Sequence, residues 1–253
     1  METHAIVRRP GRNFSRGITT ANLGAPNYQK SLRQHRAYCK VLERCGLKLM
    51  VLDPDLLHPD APFVEDTAII AGKLAMITRL GDVRRRGEEE RISGILAGTF
   101  GIRTIQPPGS IDGGDVLKIN NHFYVGISQR TNESGAKQLS SFLLEEGFTS
   151  SFVPVVNSLH LKTGATYIGN NTIIATQEFA RMEEFGKFRI VVVNPDDSYA
   201  ANCLLVNGNL LIPANFPNAK ERIQEISKID IIEVQMSEFQ KMNGGLTCLS
   251  IIF

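Results

Sequence analysis

The sequence predicts an α/β fold, a five-bladed, pseudo-symmetric α/β propeller built from ββαβ repeats. Three observations carry this reading. Hairpin signals recur along the chain, a helical stretch and a further apolar strand follow each hairpin, and the two chain ends hold the parts of one more such unit. Recurrence of one supersecondary pattern at a fixed period marks a ring or stack of similar units.

Taken in order, residues 4–7 read as a strand, 27–46 as a long amphipathic helix carrying Leu32, Tyr38, Val41 and Leu42, and 47–52 as the strand after it. The first full repeat opens at Asp66, with apolar runs at 67–70 and 74–78 around Ala71-Gly72-Lys73, a helix at 88–98 and a strand at 103–105. The second pairs 116–119 with 123–125 across Asn120-Asn121, then runs through a helix at 133–146 to a strand at 152–155. The third joins 165–168 to 172–175, with a weaker helix at 178–185 and a strand at 190–193. The fourth joins 202–206 to 209–212 across Asn207-Gly208, the strongest short hairpin signal, followed by a helix near 219–226 and a strand at 229–234. A last strand at 248–253 can pair with 4–7. Pairing of the terminal strands would close the ring and leave no unit with a bare edge. No linker or low-complexity segment divides the chain, so residues 1–253 are expected to form a single α/β-propeller catalytic domain.

Composition removes several function classes. Net charge is +2, and Glu88-Glu89-Glu90 follows the densest basic cluster, Arg84-Arg85-Arg86, so no nucleic-acid stripe is expected. No apolar run approaches the roughly 18 residues that span a membrane, and the N-terminal METHAIVRRPGRN lacks the apolar region of a signal peptide. The four cysteines Cys39, Cys45, Cys203 and Cys248 form no CxxC pair and no zinc pattern. A cytoplasmic, reduced setting follows.

The polar residues fall at repeated places in this scheme. Glu65 and Asp66 precede the first hairpin, Asp112-Gly113-Gly114-Asp115 the second and His160 the third, while Cys248 opens the fifth unit. Only the fourth unit, opening at Ala200-Ala201-Asn202, offers nothing charged there. Equivalent positions of a cyclic repeat converge on one end of its axis, so these residues are expected around one cavity. A thiol can serve as nucleophile and a histidine as proton shuttle. Carboxylates around a thiol disfavour the thiolate unless the substrate is a cation. A guanidinium at about 4 Å, at an effective dielectric near 20, favours the thiolate by roughly 4 kcal/mol before desolvation. Cys39, Cys45 and Cys203 lie in apolar patterns and read as structural, and His4, His35, His58 and His122 as structural or solvated.

Several stretches resemble the dimethylarginine dimethylaminohydrolases of the amidinotransferase and arginine deiminase superfamily. They are Phe63-Val64-Glu65-Asp66, Ile77-Thr78-Arg79, Arg84-Arg85, Asp112-Gly113-Gly114-Asp115, Arg130-Thr131-Asn132, Leu159-His160-Leu161-Lys162, Ala200-Ala201-Asn202-Cys203 and Gly245-Leu246-Thr247-Cys248. The resemblance runs over essentially the whole chain, and the family fold is the five-bladed α/β propeller. It implies Cys248 as nucleophile, His160 as acid and base, and Asp112 as the carboxylate that orients the histidine. Glu65 and Asp66 would grip the guanidinium nitrogens, Arg85 and Arg130 the substrate carboxylate, and Asp60 the α-amine. Backbone carbonyls near Ile18 and Met242 would complete the site, and residues 13–24 would form a mobile lid. Ile18 stands where the family more often has leucine, a minor departure if only the backbone acts.

The implied reaction is hydrolysis of Nω-methylated arginine to citrulline and a methylated amine through a Cys248 thiouronium, with no metal or organic cofactor. Two alternatives stay open: deimination of unmethylated arginine, and a catalytically silent propeller that binds cationic amino acids. A homodimer is the expected assembly.

Overall fold

The computed structural model describes residues 2–253. The chain divides into two compact units, Val64–Lys162 and the residues to Phe63 together with Thr163–Phe253. Strand β1 (His4–Arg8) is followed by helix α1 (Tyr28–Arg44) and strand β2 (Lys48–Leu52). The α1 start is fixed by Asn27, whose side chain accepts the Lys30 N–H, a cap worth about 1 kcal/mol. Tyr38 and Leu42, four residues apart on one helix face, are fully buried. Strands β1 and β2 pair in parallel, with Ile6 opposite Met50.

The unit Val64–Lys162 holds two complete repeats. Strands β3 (Ala68–Ala71) and β4 (Leu74–Ile77) form a hairpin, α2 (Glu88–Leu96) crosses over, and β5 (Gly101–Thr104) pairs in parallel with β4. The pattern returns in β6 (Val116–Ile119), β7 (His122–Ile127), α3 (Glu133–Glu145) and β8 (Thr149–Pro154). One core serves both sheets, built from Ile69, Met76, Ile111, Phe123, Leu139 and Leu143.

The rest of the chain continues the pattern. A single helical turn, α4 (Leu161–Gly164), leads to β9 (Ala165–Tyr167), β10 (Thr172–Ala175), the short α5 (Gln177–Ala180) and β11 (Arg189–Val192). The next repeat is β12 (Leu204–Val206), β13 (Asn209–Pro213), α6 (Pro217–Ile226) and β14 (Asp230–Val234). Its hairpin turns at Asn207 (φ 47°) and Gly208 (φ 85°), the paired positive values that a two-residue turn between twisted strands requires. A short α7 (Ser237–Gln240) precedes the last strand, β15 (Ser250–Ile252). That strand lies antiparallel to β1, with Ile6 opposite Ile251, so the fifth sheet is shared between the chain ends as the sequence predicts.

Five three-stranded sheets repeat one plan, an antiparallel hairpin plus a parallel third strand, in an α/β-propeller fold of five repeats. The third repeat departs from expectation. Its helix is reduced to α5 and a 3-10 turn, Glu183–Phe185, while Phe179 and Phe185 fill the space beneath. Among the described residues no helix is long and apolar enough to cross a membrane.

A further regularity positions the chemistry. Each sheet's hairpin, or in the fifth sheet the last strand, is entered through a short helical turn. These turns are Val64–Thr67, Gly113–Asp115, α4, Pro195–Ala201 and Thr247–Leu249. Cys248 therefore sits on a 3-10 turn, not within the strand expected at 248–253.

Candidate active site

Within Val64–Lys162 the turns bring a set of charged side chains together. Asp112 is wholly buried, and its Oδ2 lies 3.0 Å from His160 Nε2 while its Oδ1 accepts the Gly81 N–H at 2.8 Å. The carboxylate so held lies within hydrogen-bond distance of the imidazole. Asp66, 2% exposed, accepts the Gly114 N–H on one oxygen and Arg85 Nη1 on the other, at 2.9 and 2.7 Å. Gly114 has no alternative here, since a Cβ would stand 2.7 Å from His160 Nδ1 and 2.9 Å from Asp66 Oδ1. Burial pulls the His160 pKa down. The charges of Asp66 and Asp115 and the hydrogen bond and charge of Asp112 outweigh it, and the value rises to about 9. Burial likewise pushes Asp66 up, but Arg85, His160 and the Gly114 amide bring it down to about 2. At neutral pH the pair is an imidazolium beside carboxylates.

Arg85 lies at the end of the turn Val83–Arg85, three residues before Glu88 on the first turn of α2. Its guanidinium makes a fork with Glu88, Nε to Oε1 at 3.1 Å and Nη2 to Oε2 at 2.9 Å, besides the bond to Asp66. The residue is 5% exposed, so the basic cluster 84–86 is not the uniform solvated loop its composition suggests. Arg130 is held more loosely, 3.7 Å from Asp82 and 3.8 Å from Asp112. Glu65 forms an ion pair with Lys162, two residues beyond His160.

In the other unit the segment before Cys248 is tied down at successive residues. Tyr199 Oη donates to the Gly244 carbonyl at 2.7 Å, and Tyr38 Oη to that of Leu246 at 3.0 Å. Asn202 accepts the Thr247 N–H and donates to the Thr247 hydroxyl, each at 3.1 Å. Gly245 packs so tightly that a Cβ would stand 2.3 Å from Asn202 Oδ1, and its N–H points at Cys248 Sγ over 3.4 Å. An amide donor to sulfur favours the thiolate. Asn202 is the site residue that the sequence reading passed over. Its repeat opens without a charged side chain, and the position of an amide at that opening is the one signal the sequence offers for it.

The same unit brings Ile18, Asp60 and Met242 together. The Ile18 N–H meets both carboxylate oxygens of Asp60, at 3.2 and 3.0 Å, and a Cβ on Gly17 would stand 2.4 Å from Asp60 Oδ1 and 3.1 Å from Met242 Cε. The expected lid is anchored at one end by Phe14, buried in the core. Further along, the Ala21 N–H bonds to Asn243 Oδ1 and Asn243 Nδ2 to the Thr20 hydroxyl, at 2.9 and 2.7 Å.

No disulfide joins the four cysteines. Burial raises the thiol pKa of Cys39 to about 12 and also raises those of Cys45 and Cys203, which suits structural roles for all three. Asp66, Asp112 and His160 offer ligand atoms within 4.8 Å of one another, the grouping by which side chains could hold a metal ion. A cation there would compete with the Arg85 ion pair and the His160–Asp112 bond, which already occupy those atoms.

Comparison with known proteins places this arrangement. The sequence profile of the family described as arginine deiminase matches residues 27–205. The N(G),N(G)-dimethylarginine dimethylaminohydrolase of Pseudomonas aeruginosa is 39% identical over 255 residues, covering 100% of each chain. That of Streptomyces coelicolor is 33% identical, covering 98% of this chain and 95% of its own. A solved structure of the Pseudomonas aeruginosa protein, a cysteine-to-serine mutant complexed with citrulline, matches with a TM-score of 0.96 at 38% identity over 100% of both chains. The chain belongs to the arginine deiminase family and, within it, to the dimethylarginine dimethylaminohydrolases.

Proposed function

We propose that the chain hydrolyses Nω-methylated L-arginine, asymmetric dimethylarginine or monomethylarginine, to L-citrulline and dimethylamine or methylamine. The observation that carries the reading is full-length similarity to enzymes of that name, joined to a histidine that is protonated at neutral pH beside buried carboxylates. In the proposed cycle Cys248 Sγ adds to the guanidinium carbon. His160 gives its proton to the departing amine, whose C–N bond breaks, leaving a thiouronium on Cys248. The neutral imidazole then takes a proton from water and the hydroxyl adds to the same carbon; as that hydroxyl gives up its proton, which the released amine takes through solvent to leave as its ammonium, the C–S bond breaks to release citrulline and the thiolate. A pKa near 9 suits the first proton transfer, because the acid is loaded before substrate arrives.

Asp112 orients His160, and Glu65 and Asp66 bind the guanidinium nitrogens, with Lys162 and Arg85 balancing those carboxylates when no substrate is present. Arg130 and Arg85 hold the substrate carboxylate. Arg130 is the readier of the two, since Arg85 is already forked to Glu88. Asp60 meets the α-amine, aided by the carbonyls of Ile18 and Met242. No cofactor enters the cycle. The 253 residues act as one catalytic domain, supported by relatives matched end to end. The chain works in the cytoplasm, in keeping with cysteines that form no disulfide, and as a homodimer, to be checked by light scattering. The family profile, described as arginine deiminase, favours deimination of free arginine as the second reading.

The test is turnover of asymmetric dimethylarginine, monomethylarginine, arginine and agmatine by the protein and by Cys248→Ser, with the released amine and ureido product quantified. Citrulline and dimethylamine from the methylated substrate, in excess of product from arginine and abolished in Cys248→Ser, is the expected result. Faster ammonia release from arginine establishes the second reading. Turnover of none of the four sinks both.

A further inference from the structure

Three stretches on which the proposed reaction depends meet at a carboxylate that the reaction does not use. Asp115 closes the turn Gly113–Asp115 and is completely buried. Its Oδ1 accepts the N–H of Leu161, the peptide that follows His160, at 2.9 Å. Its Oδ2 accepts the hydroxyls of Ser128 and Thr131, each at 2.7 Å. Those hydroxyls are acceptors in turn. Ser128 Oγ takes the N–H groups of Arg130 and Thr131, at 2.9 and 3.1 Å, and Thr131 Oγ1 takes the N–H of Asp112 at 3.2 Å.

The direction of every bond in this network is therefore fixed. Amides donate to the hydroxyls, and each hydroxyl donates its single proton to Asp115. Only a group without a proton of its own satisfies all three donors. An asparagine has the same volume but turns an NH2 toward donors at one end, leaving buried hydrogen-bonding groups unsatisfied. A protonated carboxyl meets the same obstacle, having nothing to donate to. Burial raises the Asp115 pKa, while the three donors and the His160 charge oppose that rise.

We infer that Asp115 is a positioning residue that sets the backbones carrying His160, Arg130 and Asp112, and so aligns the proton donor with the substrate-carboxylate clamp. Its carboxylate bonds to them through Leu161, Ser128 and Thr131, and this role rests on the hydrolase reading given above. Loss of its charge also removes one of the carboxylates that stabilise the His160 imidazolium.

The experiment compares the parent with Asp115→Asn and Thr131→Val in steady-state hydrolysis of asymmetric dimethylarginine. The His160 ring is titrated by NMR in parallel, its signal assigned with His160→Gln. Asp115→Asn is expected to lower kcat by about 30-fold and raise KM about threefold, the scale on which misplacement of catalytic groups acts, and to move the His160 titration to lower pH. Thr131→Val keeps the volume and cuts only the arm to Asp112, losing the hydroxyl's two hydrogen bonds, with an expected loss in kcat of about tenfold. A folded Asp115→Asn with both constants within about threefold of the parent and an unmoved His160 titration overturns the inference. Should that variant fail to fold, a Thr131→Val enzyme with kcat within about threefold of the parent overturns it instead. Should the parent turn over no guanidine, the hydrolase reading fails separately. The titration then still decides, because a His160 unaffected by Asp115→Asn means that Asp115 does not set its surroundings.

Discussion

The side chain of Asn202 grips Thr247 at two atoms, and the next residue is Cys248. With Gly245 pressed against the same amide, the thiol's backbone has little room to drift. Asn202→Ala leaves the buried Thr247 N–H without this partner, a cost of about 1–3 kcal/mol, and frees the turn that carries the sulfur. A kcat lowered by about tenfold with KM nearly unchanged is expected, since the proposed substrate-binding groups are other residues. Unchanged kcat in a variant that melts earlier would show that Asn202 serves stability alone. At this scale the sequence was legible where the chemistry restricts residue type. A thiol, an imidazole and several carboxylates at repeat openings are few enough to stand out. It was illegible where function rests on pairing across tens of residues. Nothing local marks Arg85 as the partner of Asp66, 19 positions away, and nothing in Gly-Gly-Asp marks Asp115 as the acceptor for Leu161, 46 positions on.

The hairpins were readable as elements because their turns demand unusual backbone. Gly72, Asn120, Gly169, Asn170, Asn171, Asn207 and Gly208 all have positive φ, and glycine and asparagine enter that region most readily. The turns that open the repeats are not readable, since four of them have only three or four residues and the seven of Pro195–Ala201 form a 3-10 helix, so none shows an α-helical period. The lid shows both sides of this limit. Its polar, glycine-bearing composition marks a loop, but not the contacts made by Asn243, which itself sits at φ 59°. Asn243→Gly keeps that backbone conformation and deletes the bonds to Thr19, Thr20 and Ala21. Amide exchange across 17–23 is expected to speed up about tenfold, as three side-chain hydrogen bonds near the surface are lost. Identical exchange in the variant and the parent would mean that Phe14, the Ile18–Asp60 bonds and the Thr19 bond to the Lys241 carbonyl secure the segment without Asn243.

For the molecule as a whole, the buried histidines predict a stability maximum bounded on both sides. His160 titrates at about 9 when folded, above its ordinary 6.5. The folded state therefore binds more protons than the unfolded chain between those values, and stability falls as pH rises through them. That contribution is complete below pH 6.5 and gone once pH passes about 9. His35 behaves oppositely. Burial and the charge of Arg9 lower it to about 4, so it stays neutral in the fold. Its contribution is present above pH 6.5 and is lost as pH falls toward 4. Asp66, at about 2, adds a second loss below its ordinary 3.8. The two histidines belong to different compact units, His160 to Val64–Lys162 and His35 to the other, so variants can separate the limbs. Melting temperatures recorded from pH 4 to 10 should peak near pH 6.5. His160→Gln should flatten the alkaline limb and leave the acid limb in place, and His35→Gln should do the reverse above pH 4. If His160→Gln leaves the alkaline limb as steep as in the parent, the imidazolium is not what that limb reports. The acid loaded for amine departure would then have to titrate lower than its carboxylate surroundings imply, and turnover would decline well before pH 9.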